Sequence, residues 1–393
     1  MPVIVNPLPI ATGNILGISP VCQGEPGIPY TIQVIDPLST SYIWSLVPVS
    51  AGTLSGPTST VDISWDNSFT GTASLQVHGL NGCGSGPVSP SYSILVDHKP
   101  NVSFLSCNDL FTTKNARPVV LKGGYPSGAS GNYSGTGISQ TIPGTFIFDP
   151  GSSAVTGTSG GTPYTLTYRY TNIYNCFREA TRIMKVYSSN ASQPCPGTVL
   201  DPRDGKSYPT FLAGSGSSTR CWMAENLNYG DYTNGNLSQS DNCTIEKYCV
   251  NDLSSQCAVS GGYYQWNEMM NYTTTERAQG ICMPGWHLPS QQDWIDLENF
   301  YLGTGLAGNS LKDIFMTNGF HGLLSGIFYL NNTWKFTSGS NTGAMFWSST
   351  PVLSGLGTIT GYAMAAGINS YNFSTSLYFS SIGNAFPVRC VRD

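Results

Sequence analysis

The chain has 393 residues, a net charge of −5 and only 10% charged side chains, against 40% hydrophobic and 12% aromatic residues. That length suits two or three domains, and that apolar content argues against a disordered chain. The few basic residues form no stripe that would hold nucleic acid, and no apolar run is long enough to insert directly into a membrane as a helix.

The charge is unevenly placed. Residues 1–98 hold Glu25, Asp36, Asp62, Asp66 and Asp97 with no Lys or Arg, while the remainder is balanced. With 45 Gly and 25 Pro, turns are frequent, which fits β-rich domains. The 11 cysteines are scattered without repeated CxxC pairs, which favours disulfides and an oxidising compartment over zinc. Their odd number leaves at least one thiol without a partner inside the chain. Met1 leads directly into a strand-like run with no signal peptide, as in a mature chain or a fragment with further domains upstream.

Val3-Ile4-Val5-Asn6-Pro7-Leu8-Pro9 resembles Ile94-Leu95-Val96-Asp97-His98-Lys99-Pro100, and Ile183-Met184-Lys185-Val186 is a weaker echo. Val5, Val96 and Val186 therefore recur about every 90 residues, the size of one Ig-like sandwich. The period predicts two all-β sandwiches over 1–98 and 99–189, with Val3–Pro9 as the last strand of a preceding domain. Each repeat has a cysteine near its start and another near its end: Cys22 and Cys83, then Cys107 and Cys176.

Alternating apolar residues mark the strands. In the first repeat these are Ile32 and Val34; Tyr42, Trp44 and Leu46; Val61, Ile63 and Trp65; and Ala73, Leu75 and Val77. In the second they are Phe146 and Phe148, then Tyr164, Leu166, Tyr168 and Tyr170. Trp44, between two cysteines, suggests a core tryptophan near an inter-sheet disulfide. No tyrosine stands two residues before Cys83, so antibody topology itself is not expected.

Ser19-Pro20-Val21-Cys22-Gln23-Gly24, Tyr42-Ile43-Trp44, Gly79–Gly84 and Ile94-Leu95-Val96 give the first repeat its family character. It resembles the PKD-like repeats of large secreted Bacteroidetes surface proteins. The second repeat, through Gly123–Gly128, Tyr133–Gly137 and Thr167–Thr171, resembles an associated Ig-like module. These resemblances imply spacers and name no ligand.

Residues 190–196 read as a linker. Beyond them, over 197–393, helix signals appear. Ser290 is placed as an N-cap with Asp293 at the capping-box position; Trp294, Leu297 and Tyr301 follow at helical spacing, and Gly303 can end the helix. Tyr264–Met270 suggests a second short helix. The rest reads as short strands and loops, so the domain is α+β.

This domain's motifs are Gly205-Lys206-Ser207-Tyr208, Cys221–Asn228, Gly262–Trp266, Gly280–Ser290, Phe346–Thr350 and Val388–Val391. In this order and spacing they resemble the Fibrobacter succinogenes major paralogous domain, a resemblance that implies a C-type-lectin-like fold. Related folds include the variable proteins of diversity-generating retroelements, whose ligand-binding face lies in the C-terminal segment. Met283 and Pro387 depart from the more usual Pro and Ser. Cys282 and Cys390 then plausibly tie the helix entrance to the last strand, and Cys249 and Cys257 staple a loop. Of Cys195, Cys221 and Cys243, a Cys221–Cys243 pair is the expectation.

No pattern commits the chain to catalysis. His78, His98, His287 and His321 make no metal-binding arrangement, and His287 reads as structural. Asp201-Pro202-Arg203-Asp204-Gly205 fits a hairpin turn better than a calcium loop. Asp293, Asp296 and Glu298 fit a solvated helix face, Glu225 a buried hydrogen-bonding group, and Glu268 is the other carboxylate available to a glycosidase. Cys221 could serve only as a rival catalytic thiol. No catalytic residue, metal or cofactor is therefore assigned.

The stretch from Phe336 to Val388 contains no Asp, Glu, Lys, Arg or His, yet it is rich in Tyr, Phe, Ser, Gly and Asn. That is the composition of adaptable binding surfaces. The candidate ligand contacts are Trp347, Tyr362, Asn369, Tyr371, Asn372, Phe373, Tyr378 and Phe379, although strand alternation would turn about half of them inward. The sequence thus points to an extracellular or cell-surface adhesion protein. Two Ig-like sandwiches would present an α+β C-type-lectin-like domain to a glycan or protein ligand on another cell or surface. The alternatives are a retroelement-type variable protein, a structural module of a surface filament and a carbohydrate-active enzyme.

Overall fold

A computed structural model describes residues 7–56, 58–188, 195–301, 307–312, 319–324, 326–329, 335–337, 343–369 and 375–393. The strand expected at Val3–Pro9, most of the linker at 190–196 and the helix stop at Gly303 lie outside these residues. The described chain is rich in β-strands and has few helices. It forms two compact units. One comprises the chain up to Phe104 with Gly124–Asn132 and Tyr168–Ala180; the other comprises Leu105–Gly123, Tyr133–Thr167 and the chain from Thr181 onward.

In the first unit, one sheet runs in the order Ile15–Leu16, Ile28–Ile32, Thr60–Trp65, Gly52–Ser55. A second runs Val21–Cys22, Tyr92–Asp97, Gly71–Asn81, Ser41–Val47. Successive strand residues face opposite sides, and the alternation read from the sequence is the one observed. Tyr42, Trp44, Leu46, Val61, Ile63, Trp65, Ala73, Leu75 and Val77 are all buried in one shared core. Burying each large apolar side chain contributes about 1.5–3 kcal/mol. The Trp44 indole is not left polar and unpaired, because its Nε1 donates to Thr58 O at 3.0 Å. Val34 departs from expectation. Its strand stops at Ile32, and the side chain is exposed.

The disulfides differ from the expected pairs within each repeat. Cys22 bonds Cys176, with Cα atoms 5.5 Å apart. Cys83 is free and exposed in the tight turn between Gly71–Asn81 and Gly84–Ser85, away from the buried Cys22. Trp44 therefore has no Cys22–Cys83 bridge beside it. Cys107 bonds Cys243 rather than Cys176, and Cys221 bonds Cys195 rather than Cys243. The Cys249–Cys257 and Cys282–Cys390 bridges form as expected.

In the second unit, Val119–Val120, Thr145–Phe148 and Ile138–Ile142 form a small antiparallel sheet with Phe146 and Phe148 buried. Further on, Arg220–Met223 pairs with Ser207–Ala213 and, through Trp222 and Val391, with Val391–Arg392. Strands from the start and the end of this region thus lie side by side. Gln291–Phe300 is the principal helix. The Ser290 side chain accepts from Asp293 N, and Asp293 accepts in return from Ser290 N at 2.9 Å, the expected capping box. Trp294, Leu297 and Tyr301 are buried as their spacing predicts, and Trp266–Met269 forms the second short helix.

Two of the acidic residues read as solvated are buried instead. Asp293 and Glu298 both lie inside. Burial alone would raise the Asp293 carboxyl. Hydrogen bonds involving His287 and Ser290 and the Arg277 guanidinium at 3.2 Å instead hold it well below the usual carboxylate range. His287 is structural: its Nδ1 lies 2.8 Å from Asp393 Oδ1. Asp201 is also buried, accepting from Arg203 N, Nε and Nη2 in the expected Asp-Gly hairpin.

Arg389 sits at the centre of this region and is completely buried. It donates to Asn226 Oδ1 at 2.7 Å and to the carbonyls of Met223, Phe320 and His321, and its guanidinium stacks 4.2 Å from the Phe320 ring centre. Burial pulls it down to about 9. It remains a cation at neutral pH, neutralised by dipoles and by a ring face.

Candidate ligand-binding site

The charge-free stretch becomes a three-stranded antiparallel sheet: Gly343–Leu353, Ile359–Asn369 and, on the outside, Thr375–Ser381. Its inner part is packed on both faces. Met345, Trp347, Ala363 and Ala365 belong to one core with Trp266, Trp286 and Phe386. Ala344, Phe346, Ala366 and Ile368 belong to a second core with Trp222, Trp294 and Phe320. Two cores leave no solvent face along this part of the sheet, which accounts for the absence of charge and for the small residues Ala363, Ala365, Ala366 and Gly367.

This arrangement sorts the candidate residues. Trp347 is fully buried, and its Nε1 donates to Tyr264 O at 2.8 Å; it is a core residue, not a contact. Tyr362, Tyr378 and Phe379 are 50%, 47% and 71% exposed. Asn369 ends the middle strand, and its side chain lies outside what is described, as do Tyr371, Asn372 and Phe373.

The register fixes how the exposed aromatics group. Tyr362 pairs with Ser381 and Met364 with Phe379. Tyr362 and Phe379 are therefore diagonal neighbours on one face, a separation of about 7–8 Å that aromatic side chains bridge. Met364 lies beside them and is buried. Tyr378, opposite Ala365, projects from the other face. Tyr378 and Phe379 are exposed on Thr375–Ser381, the outer strand among the described residues, and Tyr362 lies where the middle strand's pairing with Gly343–Leu353 is irregular. Leu353 and Leu356, in and beyond the hairpin of the first two strands, are also exposed, at 54% and 93%. The sequence signal for them is leucine set among the Gly, Ser and Thr of a turn.

Other candidate chemistry is not assembled. Glu225 is exposed rather than buried, and Cys221 is consumed in its bridge to Cys195. Among the described residues no group of His, Cys, Asp and Glu is arranged to hold a metal ion, and no helix is long and apolar enough to cross a membrane.

Fold and site together define a β-rich, disulfide-bonded multidomain protein. Within it, residues 217–392 match the family model of the Fibrobacter succinogenes major domain and residues 8–94 that of a PKD-like domain, the arrangement the motifs imply. No curated protein matches the chain. Among solved structures, it is similar to chicken CNTN1 FN1–FN3 domains at 11% identity over 55% of this chain and 76% of that one, with a TM-score of 0.19. It is also similar to the Yersinia pseudotuberculosis adhesin InvE at 12% identity over 98% and 96%, with a TM-score of 0.19. For the N-terminal eight Ig domains of DSCAM the identity is 16% over 53% and 29%, with a TM-score of 0.26. Scores this low do not place a fold.

Proposed function

We propose that this chain is an extracellular or cell-surface adhesion protein. In this reading, Ig-like modules over residues 1–98 and 99–189 carry a C-terminal C-type-lectin-like domain that binds a glycan or protein ligand without turnover. Pairing of the early strand Arg220–Met223 with the terminal Val391–Arg392, and the Cys282–Cys390 bridge that ties the approach to the principal helix to the chain end, support the lectin-like fold. Five disulfides favour an oxidising compartment.

The observation that carries the binding role is the exposed pair of Tyr362, on the middle strand, and Phe379, on the outer strand, in a segment free of charge. Exposed aromatics with few rotatable bonds give contact area at low entropic cost. Both positions are solvated, so Tyr362→Ala with Phe379→Ala should shift stability by under about 0.5 kcal/mol. The same pair of changes should weaken retention on an array of glycans and host surface proteins by at least about tenfold. Retention that persists, or a loss that merely follows unfolding, would refute the role of this face.

A further inference from the structure

The second unit contains a cleft of 1110 Å³, away from the aromatic pair. One wall is built from residues between 106 and 147, including Asn108, Ile142 and Ile147. The other is built from the C-terminal region, including Tyr229, Tyr272 and Gln279. The walls are held in place covalently by Cys107–Cys243. They are also held by charge: Lys122 donates to both carboxylate oxygens of Asp241 at 3.0–3.1 Å and to Asn271 O at 2.9 Å.

The lining has five cationic side chains, and each is neutralised by the protein itself. Arg117 meets Asp393 at 2.8 Å, Lys122 meets Asp241, Lys206 meets Asp204 at 2.9 Å and Arg277 meets Asp293 at 3.2 Å. Arg203, with a 4% exposed side chain, is clasped by Asp201 at 2.7 Å and lies 3.5 Å from Asp109. An anionic ligand would have to break these pairs, so the cleft is not built for one.

What the walls offer is aromatic and amide surface. Tyr229 is braced by Arg203, whose guanidinium lies 3.8 Å from its ring centre. Tyr272 is held from two sides. Lys122 Nζ lies 5.0 Å from its ring centre, and its hydroxyl donates to the buried Glu268 at 2.8 Å. Asn271, Tyr272 and Arg277 all hold positive φ, of 48°, 57° and 59°, a conformation that non-glycine residues keep only where the surroundings enforce it. Two buried amide oxygens of the lining, Asn108 Oδ1 and Gln279 Oε1, have no hydrogen-bond donor among the described residues. Gln279 itself is 93% buried, being 7% exposed.

We propose that this cleft binds a neutral oligosaccharide. Tyrosine rings suit the C–H faces of sugars, and amide oxygens without donors suit their hydroxyls. The volume exceeds the range of about 300–1,000 Å³ usual for small-molecule sites, which favours several linked sugars over one. The site stands apart from the Tyr362–Phe379 face and does not depend on it.

The test is isothermal titration of the full chain with neutral linear hexasaccharides of glucose, xylose and mannose, and with an acidic hexasaccharide of galacturonate. At least one neutral hexasaccharide should bind. Tyr229→Ala and Gln279→Ala should each weaken it by at least about tenfold. Ile142→Trp should also weaken it by narrowing the cleft at a side chain that is 63% exposed, so its fold is spared if the other two variants unfold. Tyr362→Ala with Phe379→Ala should leave this binding unchanged. The proposal is overturned if no neutral hexasaccharide binds up to about 10 mM, if only the galacturonate binds, or if the Tyr362 and Phe379 changes abolish binding while Ile142→Trp does not.

Discussion

In the N-terminal sandwich, Tyr42, Trp44 and Leu46 turn inward from one strand and Val61, Ile63 and Trp65 from another, and the side chains between them face outward. In the C-terminal region, the strand Gly343–Leu353 is enclosed on both sides over Ala344–Ser349, and Glu268, Asp293, Glu298 and Arg389 are all buried. The first region is held by apolar area, which has no direction. The second depends in addition on hydrogen bonds and charges that must meet particular partners. A sandwich of the first kind tolerates exchange of one apolar residue for another of similar volume. A region of the second kind loses most when one member of a polar set is removed.

The largest effect should come from Arg389→Met. It removes the donor from Asn226 Oδ1 and three carbonyls and should cost about 3–5 kcal/mol. In calorimetry the C-terminal transition should fall while that of the sandwich stays in place. A change below about one degree would show that Arg389 is dispensable and would erase the contrast. The counterpart is Ile63→Ala, which empties part of the sandwich core at a cost of about 2–4 kcal/mol and should move the sandwich transition alone. If both variants shift one common transition, the two regions unfold as one.

A smaller, pH-dependent effect sharpens the difference further. Burial pushes Glu268 from 4.5 up to about 7. Between those values the folded protein keeps a proton that the unfolded chain has released, so stability falls as pH rises, at up to about 1.4 kcal/mol per pH unit. Glu268→Gln, whose amide oxygen can still accept from Glu246 N, should flatten that slope in chemical denaturation at pH 4.5 to 7. Asp293 acts in the opposite direction. Its carboxyl is held below its ordinary 3.8, so its stabilisation is present at neutral pH and is lost as the medium becomes more acidic than that.

The same contrast governs how much could be read from sequence. The sandwich strands were legible because a period of two directly encodes which side chains go inward, and Ser290 with Asp293 was legible because a capping box is local. The burial of Asp293 and Glu298 was not, since a helix charge reads as solvated until partners such as Arg277 and His287 arrive from elsewhere. Among the bridges, Cys249–Cys257 spans 8 residues and was accessible from spacing. Cys22–Cys176 and Cys107–Cys243 span 154 and 136 residues and leave no local trace. At the aromatic sheet, alternation alone could not separate Trp347 from Tyr362 and Phe379, because the distinction lies in which stretch of the sheet other elements cover: Trp347 packs into a core, and Tyr362 and Phe379 lie outside both cores.

The Cys107–Cys243 bridge has a mechanical consequence. A pull applied to the chain just before Cys107 and beyond Cys243 would pass through the bridge, and the residues it encloses, 108–242, would carry no tension. At roughly 3.4 Å per extended residue, this withholds about 450 Å of contour length from the stretched chain. The cleft lining contributed by residues 108–175 lies within that loop and is shielded from such a pull, whereas a pull from upstream of Cys22 would cross the Cys22–Cys176 bridge and load residues 177–242.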